Sequence, residues 1–293
     1  MTLHYCNTWF EETLIAKKQT LRSLHYLFQY LPLLYGSKND TILVDAFPLE
    51  PIQDFQITEF TPSYAPLELW VNEDPLTTQL LSKEFIFHHS KRPSGSKIVH
   101  NLEEAENFEK SFASGVVFKQ FLSFSGMGHA RHAKDILRFP CLAEPWLERL
   151  LDFSTQWIVH ESGIEYLGYT HLLVASQGGY RGTEIGTIEI EKKYLDVHLQ
   201  EAYELLNFIH QLGFRGNVGL DAFLHKGGLQ SICEMNPRKT MGFVALMYAR
   251  RQNIPSLRLR IGPSPENPLL PTQLIDRYQT QVRFPKNLFL DKL

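Results

Sequence analysis

The stretch from Gly219 to Arg238 constrains this chain more than any other, because its pattern reads as an antiparallel hairpin carrying acids on one face. Gly219-Leu220-Asp221-Ala222-Phe223 leads into Gly227-Gly228 and returns through Ile232-Cys233-Glu234-Met235-Asn236-Pro237-Arg238. Paired glycines favour a two-residue loop. That loop sets Lys226 opposite Leu229 and, counting outward, Asp221 opposite Glu234. Asn236 lies two residues beyond Glu234 and points the same way, because strand side chains alternate. Two unit charges about 5 Å apart repel by roughly 3 kcal/mol at an effective dielectric near 20, and like charges directly opposed destabilise a sheet. A cation between them removes the conflict. Three hard oxygen ligands, two of them charged, suit Mg²⁺, or Mn²⁺ in its place, carrying substrate phosphates. The plainer alternative is a solvated hairpin face with two unrelated acids.

Composition narrows the class. With 293 residues, 43% of them hydrophobic, the chain can bury a large core in two or three lobes. A net charge of -3 gives no sign of a nucleic-acid binder. The 12 histidines are scattered without zinc spacing. Cys6, Cys141 and Cys233 are an odd, distant three, which suits core thiols in a reducing compartment. No run approaches about 18 apolar residues. A cytoplasmic protein without membrane or nucleic-acid partners is the expectation, and a homodimer is compatible with it.

Along the chain, helical spacing of Phe10, Leu14, Leu21, Leu24, Leu27 and Leu31 predicts a helix over 8–34. Buried strands are expected at 41–47 and 67–71, making a small N-terminal α/β unit. A helix starting near Asp74-Pro75 carries Lys83 toward its end, and Gly115 to Lys119 reads as a strand. Strands follow at 153–159 and 166–175, and Val197 to Leu212 is an amphipathic helix. The tail from Gly262, rich in proline, reads as an extended wrap.

Two further stretches carry chemistry. Lys119 ends an apolar strand and is followed by Ser123, Ser125, Gly126 and Gly128. A strand-end lysine beside small residues suits phosphate, since glycines let backbone N–H groups approach the oxygens. No Gly-Lys-Ser/Thr of a Walker loop is present. Glu144-Pro145-Trp146-Leu147, followed by Asp152, is a connector whose Pro145 carbonyl and Leu147 N–H can offer a backbone edge to a base. Asp152 can accept from ribose hydroxyls. Read alone, the first is a surface lysine by a turn and the second a linker with a packed tryptophan.

Taken in order, Lys83, Lys119, the 125–128 loop, Glu144-Pro145-Trp146-Leu147, Asp152, Asp221, Glu234 and Asn236 resemble the ATP-grasp superfamily of carboxylate:amine and carboxylate:thiol ligases, such as D-alanine:D-alanine ligase and its relatives. The resemblance covers roughly residues 75–245, and Arg238 of Asn-Pro-Arg matches many members. It implies an α+β fold in which two lobes clamp ATP, preceded by a small α/β domain. The implied domains are 1–75, 76–143 for the small lobe and 144–293 for the large lobe and tail. It further implies an ATP-dependent ligase that activates a small-molecule or peptide carboxylate as an acylphosphate and joins it to an amine. Lys83, Lys119, Ser125, Gly126, Gly128, Glu144, Trp146, Leu147 and Asp152 would bind ATP, and Asp221, Glu234 and Asn236 would bind Mg²⁺. Lys119, Arg238 and Arg181 would serve catalysis, with Arg215 an alternative to Arg181 for the γ-phosphate, and His129 and His132 available as proton carriers. The short span between Lys83 and Lys119 trims the small lobe. An ATP-binding regulatory protein with a degenerate site, or a kinase-like use of the same fold, stands as the alternative.

Overall fold

The computed structural model describes residues 1–16, 23–52, 54–59, 66–123, 128–174, 179–263, 268–276, 281–284 and 286–293. They form two compact units. One comprises Met1–Glu73, Gly182–Thr187 and Phe243–Leu293; the other comprises Asp74–Arg181 and Ile188–Gly242.

In the first unit the strands Leu3–Tyr5, Thr41–Leu43, Gln56–Thr58 and Leu67–Leu69 form a parallel sheet. The helix expected over 8–34 is instead three short ones among the described residues, Phe10–Ala16, Ser23–Phe28 and Pro32–Tyr35. Pro32 starts the last of them, where its missing N–H costs nothing. The strand expected over 41–47 is also divided, because Ala46–Pro48 leaves the parallel sheet to pair with Gln273–Asp276. The tail is not a simple wrap. Asn287–Lys292 pairs antiparallel with Leu257–Gly262 and buries Leu288 completely, so hydrophobic burial overrides the proline-rich reading.

The second unit positions the site and is labelled in chain order. Its helices and strands are α1 (Pro75–Leu80), α2 (Lys83–His89), β1 (Lys97–Val99), α3 (Leu102–Lys110), β2 (Val116–Lys119), β3 (His129–Ala130) and β4 (Cys141–Pro145). β5 (Arg149–His160), β6 (Gly163–Val174), α4 (Lys192–Gln211), β7 (Gly216–His225) and β8 (Gly228–Asn236) follow. The helix expected to carry Lys83 toward its end is two helices. Asp74 caps α1, accepting from the Thr77 N–H at 2.7 Å, and Ser82 caps α2, accepting from the Glu84 N–H at 3.2 Å. Lys83 therefore sits in the first turn of α2.

β1, β4, β2 and β3 form one antiparallel sheet in that order. Val116, Phe118, Cys141 and Ala143 turn to a core closed by Ala105 and Phe108 of α3. Alternation then sends Lys119 and Glu144 to the opposite face. β8, β7, β5 and β6 lie side by side in that order, each antiparallel to its neighbour, as part of a second, larger sheet. Trp157, Val218, Leu220 and Met235 pack on one side with Leu80, Phe85 and Ile86 of the first two helices. Ala202, Leu205, Leu206 and Ile209 of α4 complete that core; burying a leucine this fully contributes roughly 1.5–3 kcal/mol. Leu212, the expected last residue of the amphipathic helix, is 44% exposed because α4 ends before it. The other side of this sheet carries Ser154, Gln156, Asp221, Glu234 and Asn236.

Candidate active site

The hairpin reaches the expected pairing by an unexpected route. Asp221 is the cross-strand partner of Glu234, and Gly219 of Asn236. The turn lies one residue earlier than the glycine pair suggests, with His225 opposite Gly228 and Leu224, not Lys226, opposite Leu229. Gly228 takes φ 128°, a value open to glycine and rare elsewhere. That turn alone would misalign the acids by two residues. A bulge corrects it: between the Phe223–Gln230 and Asp221–Glu234 pairs, β8 carries residues 231–233 against Ala222 alone. Carbonyls displaced from a ladder need other donors. Arg92 Nη1 donates to the Ile232 oxygen at 2.9 Å, and Gln230 Nε2 donates to it at 3.1 Å.

Arg92 is the residue that sequence reading missed. Its Nε donates to Glu144 Oε1 at 2.8 Å and its Nη2 reaches the same oxygen, while Lys119 Nζ lies 2.6 Å from Glu144 Oε2. All three side chains are buried. Burial pushes the Glu144 carboxyl up, but the Lys119 and Arg92 charges outweigh it and leave a pKa of about 2. One carboxylate thus clamps the end of β2 to the bulge of β8.

The opposed acids are compensated less completely. Lys83 Nζ donates to Glu234 Oε1 at 2.8 Å and to the Ser123 carbonyl at 3.2 Å. Burial pushes Glu234 up and Lys83 more than reverses it, holding this carboxyl below its usual range. Burial and the Glu234 charge push Asp221 up. Asn236 Nδ2 donates to Asp221 Oδ2 at 3.2 Å, and Arg238 Nη2 donates to Asn236 Oδ1 at 3.1 Å. Burial, then Lys119 and Lys83, lower His129 to about 4, so it is neutral at pH 7. Lys83 offsets one of the two negative charges, and the hard oxygens that share the remaining one fit a divalent cation. Asp221 and Glu234 would hold it, whereas the Asn236 oxygen is turned to Arg238.

The phosphate side also fits its expected ligand. Ser123 Oγ is buried with no hydrogen-bond partner among the described residues. Gly128 has φ 81°, and a Cβ there would come within 3.1 Å of Gln120 Cγ. Lys83 and Lys119 bring two cations to the same region, since both act on His129.

Solved structures share this architecture. Phosphoribosylamine–glycine ligase from Thermotoga maritima superposes with a TM-score of 0.62 at 13% identity, over 100% of this chain and 93% of that one. An ATP-grasp superfamily protein from Archaeoglobus fulgidus gives 0.52 at 12% identity, over 89% and 78%. The fold is ATP-grasp. No protein-family model matches the sequence. A curated relative, the [butirosin acyl-carrier protein]–L-glutamate ligase of Niallia circulans, is 28% identical over 100 residues. The match spans 34% of this chain and about a quarter, 24%, of that protein.

Within the ATP-grasp fold the expected residues do not all converge. Lys119, Glu144, Trp146, Leu147, Arg149 and Phe223 line a small cavity of about 20 Å³. Arg131 stacks on Trp146, its guanidinium carbon 3.6 Å from the ring centre, and the Trp146 backbone N–H donates to the Gly115 carbonyl at 2.9 Å. Asp152 accepts from Arg149 Nη1 at 2.5 Å; burial raises this carboxyl and Arg149 opposes the rise. Arg149 itself lies 4.4 Å over the Phe223 ring. Arg181 is exposed on the strand Tyr180–Ile185, and no contact between described residues links it to the acids. Arg215 ties the turn after α4, donating to the His210 and Phe214 carbonyls. His132 pairs with Glu109 at 2.8 Å. Ser125 and Gly126 lie outside the described residues. Arg92 left no signal in sequence: it belongs to an aperiodic basic loop, and its partner is 52 residues away.

Proposed function

We propose that the protein is an ATP-dependent carboxylate–amine ligase whose nucleotide and metal site is built from Lys83, Lys119, Glu144, Asp221 and Glu234. The observation that carries this reading is the opposition of Asp221 and Glu234 across one ATP-grasp hairpin, with a shortfall of positive charge at Asp221. Mg²⁺, when bound there, would neutralise phosphate charge. Lys119 is suited to the inner phosphates, with Glu144 holding its ammonium in place; Lys83 can move from Glu234 to a phosphate, and Asn236 and Arg238 orient Asp221. Catalysis of this type is positioning plus charge neutralisation.

In the reaction proposed, a substrate carboxylate oxygen attacks the γ-phosphorus, the bond to the β-phosphate oxygen breaks, and ADP leaves. The resulting acylphosphate is attacked at its carbonyl carbon by an amine nitrogen, which loses a proton as phosphate departs. The glutamate-joining relative makes L-glutamate the first amino acid to try. ADP release measured across a panel of carboxylates and amines tests the reading. Release that needs both partners and Mg²⁺ supports it. A phosphorylated carboxylate or alcohol accumulating as final product would point to kinase-like transfer, and no carboxylate-dependent release would leave an ATP-binding protein without ligase activity.

A further inference from the structure

We infer that Gln156 is a positioning residue that aims Asp221 and the Arg238 loop through a hydrogen-bond chain of one fixed direction, Thr240 to Gln156 to Ser154 to Asp221. The inference rests on the metal-site reading above. Ser154 is the cross-strand partner of Asp221, and its hydroxyl bonds that carboxylate. Gln156, on the same face of β5, donates from Nε2 to Ser154 Oγ at 2.8 Å. Thr240 donates to Gln156 Oε1 at 2.6 Å.

The direction follows from chemistry. An ionised carboxylate only accepts. Ser154 must therefore spend its single proton on Asp221, so its oxygen must accept from the Gln156 amide nitrogen. The amide oxygen is then left for Thr240, which must donate. Reversing the amide would leave Ser154 donating to Gln156 and presenting a lone pair to Asp221. Ser154 and Gln156 are 2% and 1% exposed, so water cannot repair a broken link cheaply.

Packing holds the amide in place. Its strand neighbours are Gly219 and Gly168, neither with a side chain. A Cβ at Gly219 would lie 2.7 Å from the Thr240 methyl, and one at Gly242 would lie 2.7 Å from Gln156 Nε2. The loop after Asn236 thus closes over Gln156, and that loop carries Arg238, which donates to Asn236. A single buried amide governs both sides of the acid pair.

Calorimetric binding of ADP with and without Mg²⁺ tests this. Gln156→Glu keeps the shape but cannot donate to Ser154, and Ser154→Ala removes the link. Both should weaken Mg²⁺-dependent ADP binding at least ten-fold, the scale for groups that orient metal ligands, while binding without Mg²⁺ changes less than two-fold. Thr240→Ser should retain binding and Thr240→Val should not. Unchanged Mg²⁺-dependent binding in Gln156→Glu and Ser154→Ala would overturn the inference. A cycle on the metal-free protein separates the two readings: in urea unfolding, Gln156→Glu should be far less harmful when combined with Asp221→Asn, because asparagine can donate back. Additive effects would overturn the chain. Coupling in a parent protein that shows no Mg²⁺-dependent ADP binding would overturn the proposed function and leave the chain standing.

Discussion

Glu144 and the Asp221–Glu234 pair are buried or half-buried carboxylates in one unit of the molecule, yet their electrostatics run in opposite directions. Glu144 has two cations, Arg92 and Lys119, for one negative charge. Among the described residues, Asp221 and Glu234 share one ion pair, that of Lys83 with Glu234, while Arg238 acts on Asp221 from farther off. The first arrangement leaves a surplus of positive charge around a clamped carboxylate, and the second leaves an acid pushed toward neutrality. Surplus positive charge beside unspent negative charge is what a site for a metal-bound polyphosphate requires. The contrast makes the two groups respond differently to the same substitution.

Removing the satisfied carboxylate should do the most damage. Glu144→Gln leaves Lys119 and Arg92 buried without their counter-ion, and breaking a buried pair this way costs about 3–5 kcal/mol. Urea unfolding should show it, and a loss below about 1 kcal/mol would mean that water or another acid replaces Glu144. At Lys119 the effect should fall on function: Lys119→Ala should lower any ligase rate by about two to three orders of magnitude, the scale for losing one transition-state charge stabiliser. A variant with full activity would reduce Lys119 to the clamp.

Removing the frustrated carboxylate should do the reverse to the metal-free protein. Asp221→Asn relieves repulsion and should stabilise it by up to about 1 kcal/mol, while abolishing the thermal gain expected by linkage on adding Mg²⁺ and ATP. Acidification sharpens the contrast. Glu144 has a folded pKa depressed to about 2, so its contribution is fully present above the unfolded carboxylate range and is lost as pH falls toward 2. Asp221 is raised to about 6, so its penalty is full above pH 6 and disappears below the unfolded value. The stability difference between Asp221→Asn and the parent should therefore be largest at pH 7–8 and vanish near pH 4. A difference constant across that range would remove the proposed repulsion.

How much of this was legible depended on the range of the signal. Alternation around the paired glycines placed Asp221 opposite Glu234, although the loop assignment was one residue off and a bulge absorbed the error. Carboxylate identity and strand period are local, so they survive such slips. The bulge itself was not legible, because the Arg92 that satisfies its carbonyls comes from a distant loop. Ser154 and Gln156 were hidden for another reason. They alternate with Phe153, Thr155 and Trp157 as any half-buried strand does, and only their neighbours reveal a directed chain. Lys83 belongs to the second helix because Ser82 caps a new start, a break that the continuing apolar spacing conceals.

The smallest effect is expected at the connector that we propose receives the base, where an acid is already engaged. Asp152 accepts from Arg149, and Arg149 covers Phe223 beside a cavity of about 20 Å³. That volume suits one water and not a nucleobase, so entry of a base requires Arg149 to shift, and Asp152 must then divide its oxygens between Arg149 and a ribose hydroxyl. A charge-assisted hydrogen bond contributes roughly 1.5–3 kcal/mol when the acceptor is otherwise free. Here the gain is offset by the weakened Arg149 pair, so Asp152→Ala should weaken ATP only about three- to five-fold, roughly 0.6–1 kcal/mol, with a smaller effect on 2′-deoxy-ATP. Arg149→Met, which opens the cleft without an acid to share, should tighten both nucleotides slightly. Equal losses for ATP and 2′-deoxy-ATP in Asp152→Ala would show that Asp152 serves Arg149 alone, and the base end would then resemble the Glu144 clamp instead of the acid pair.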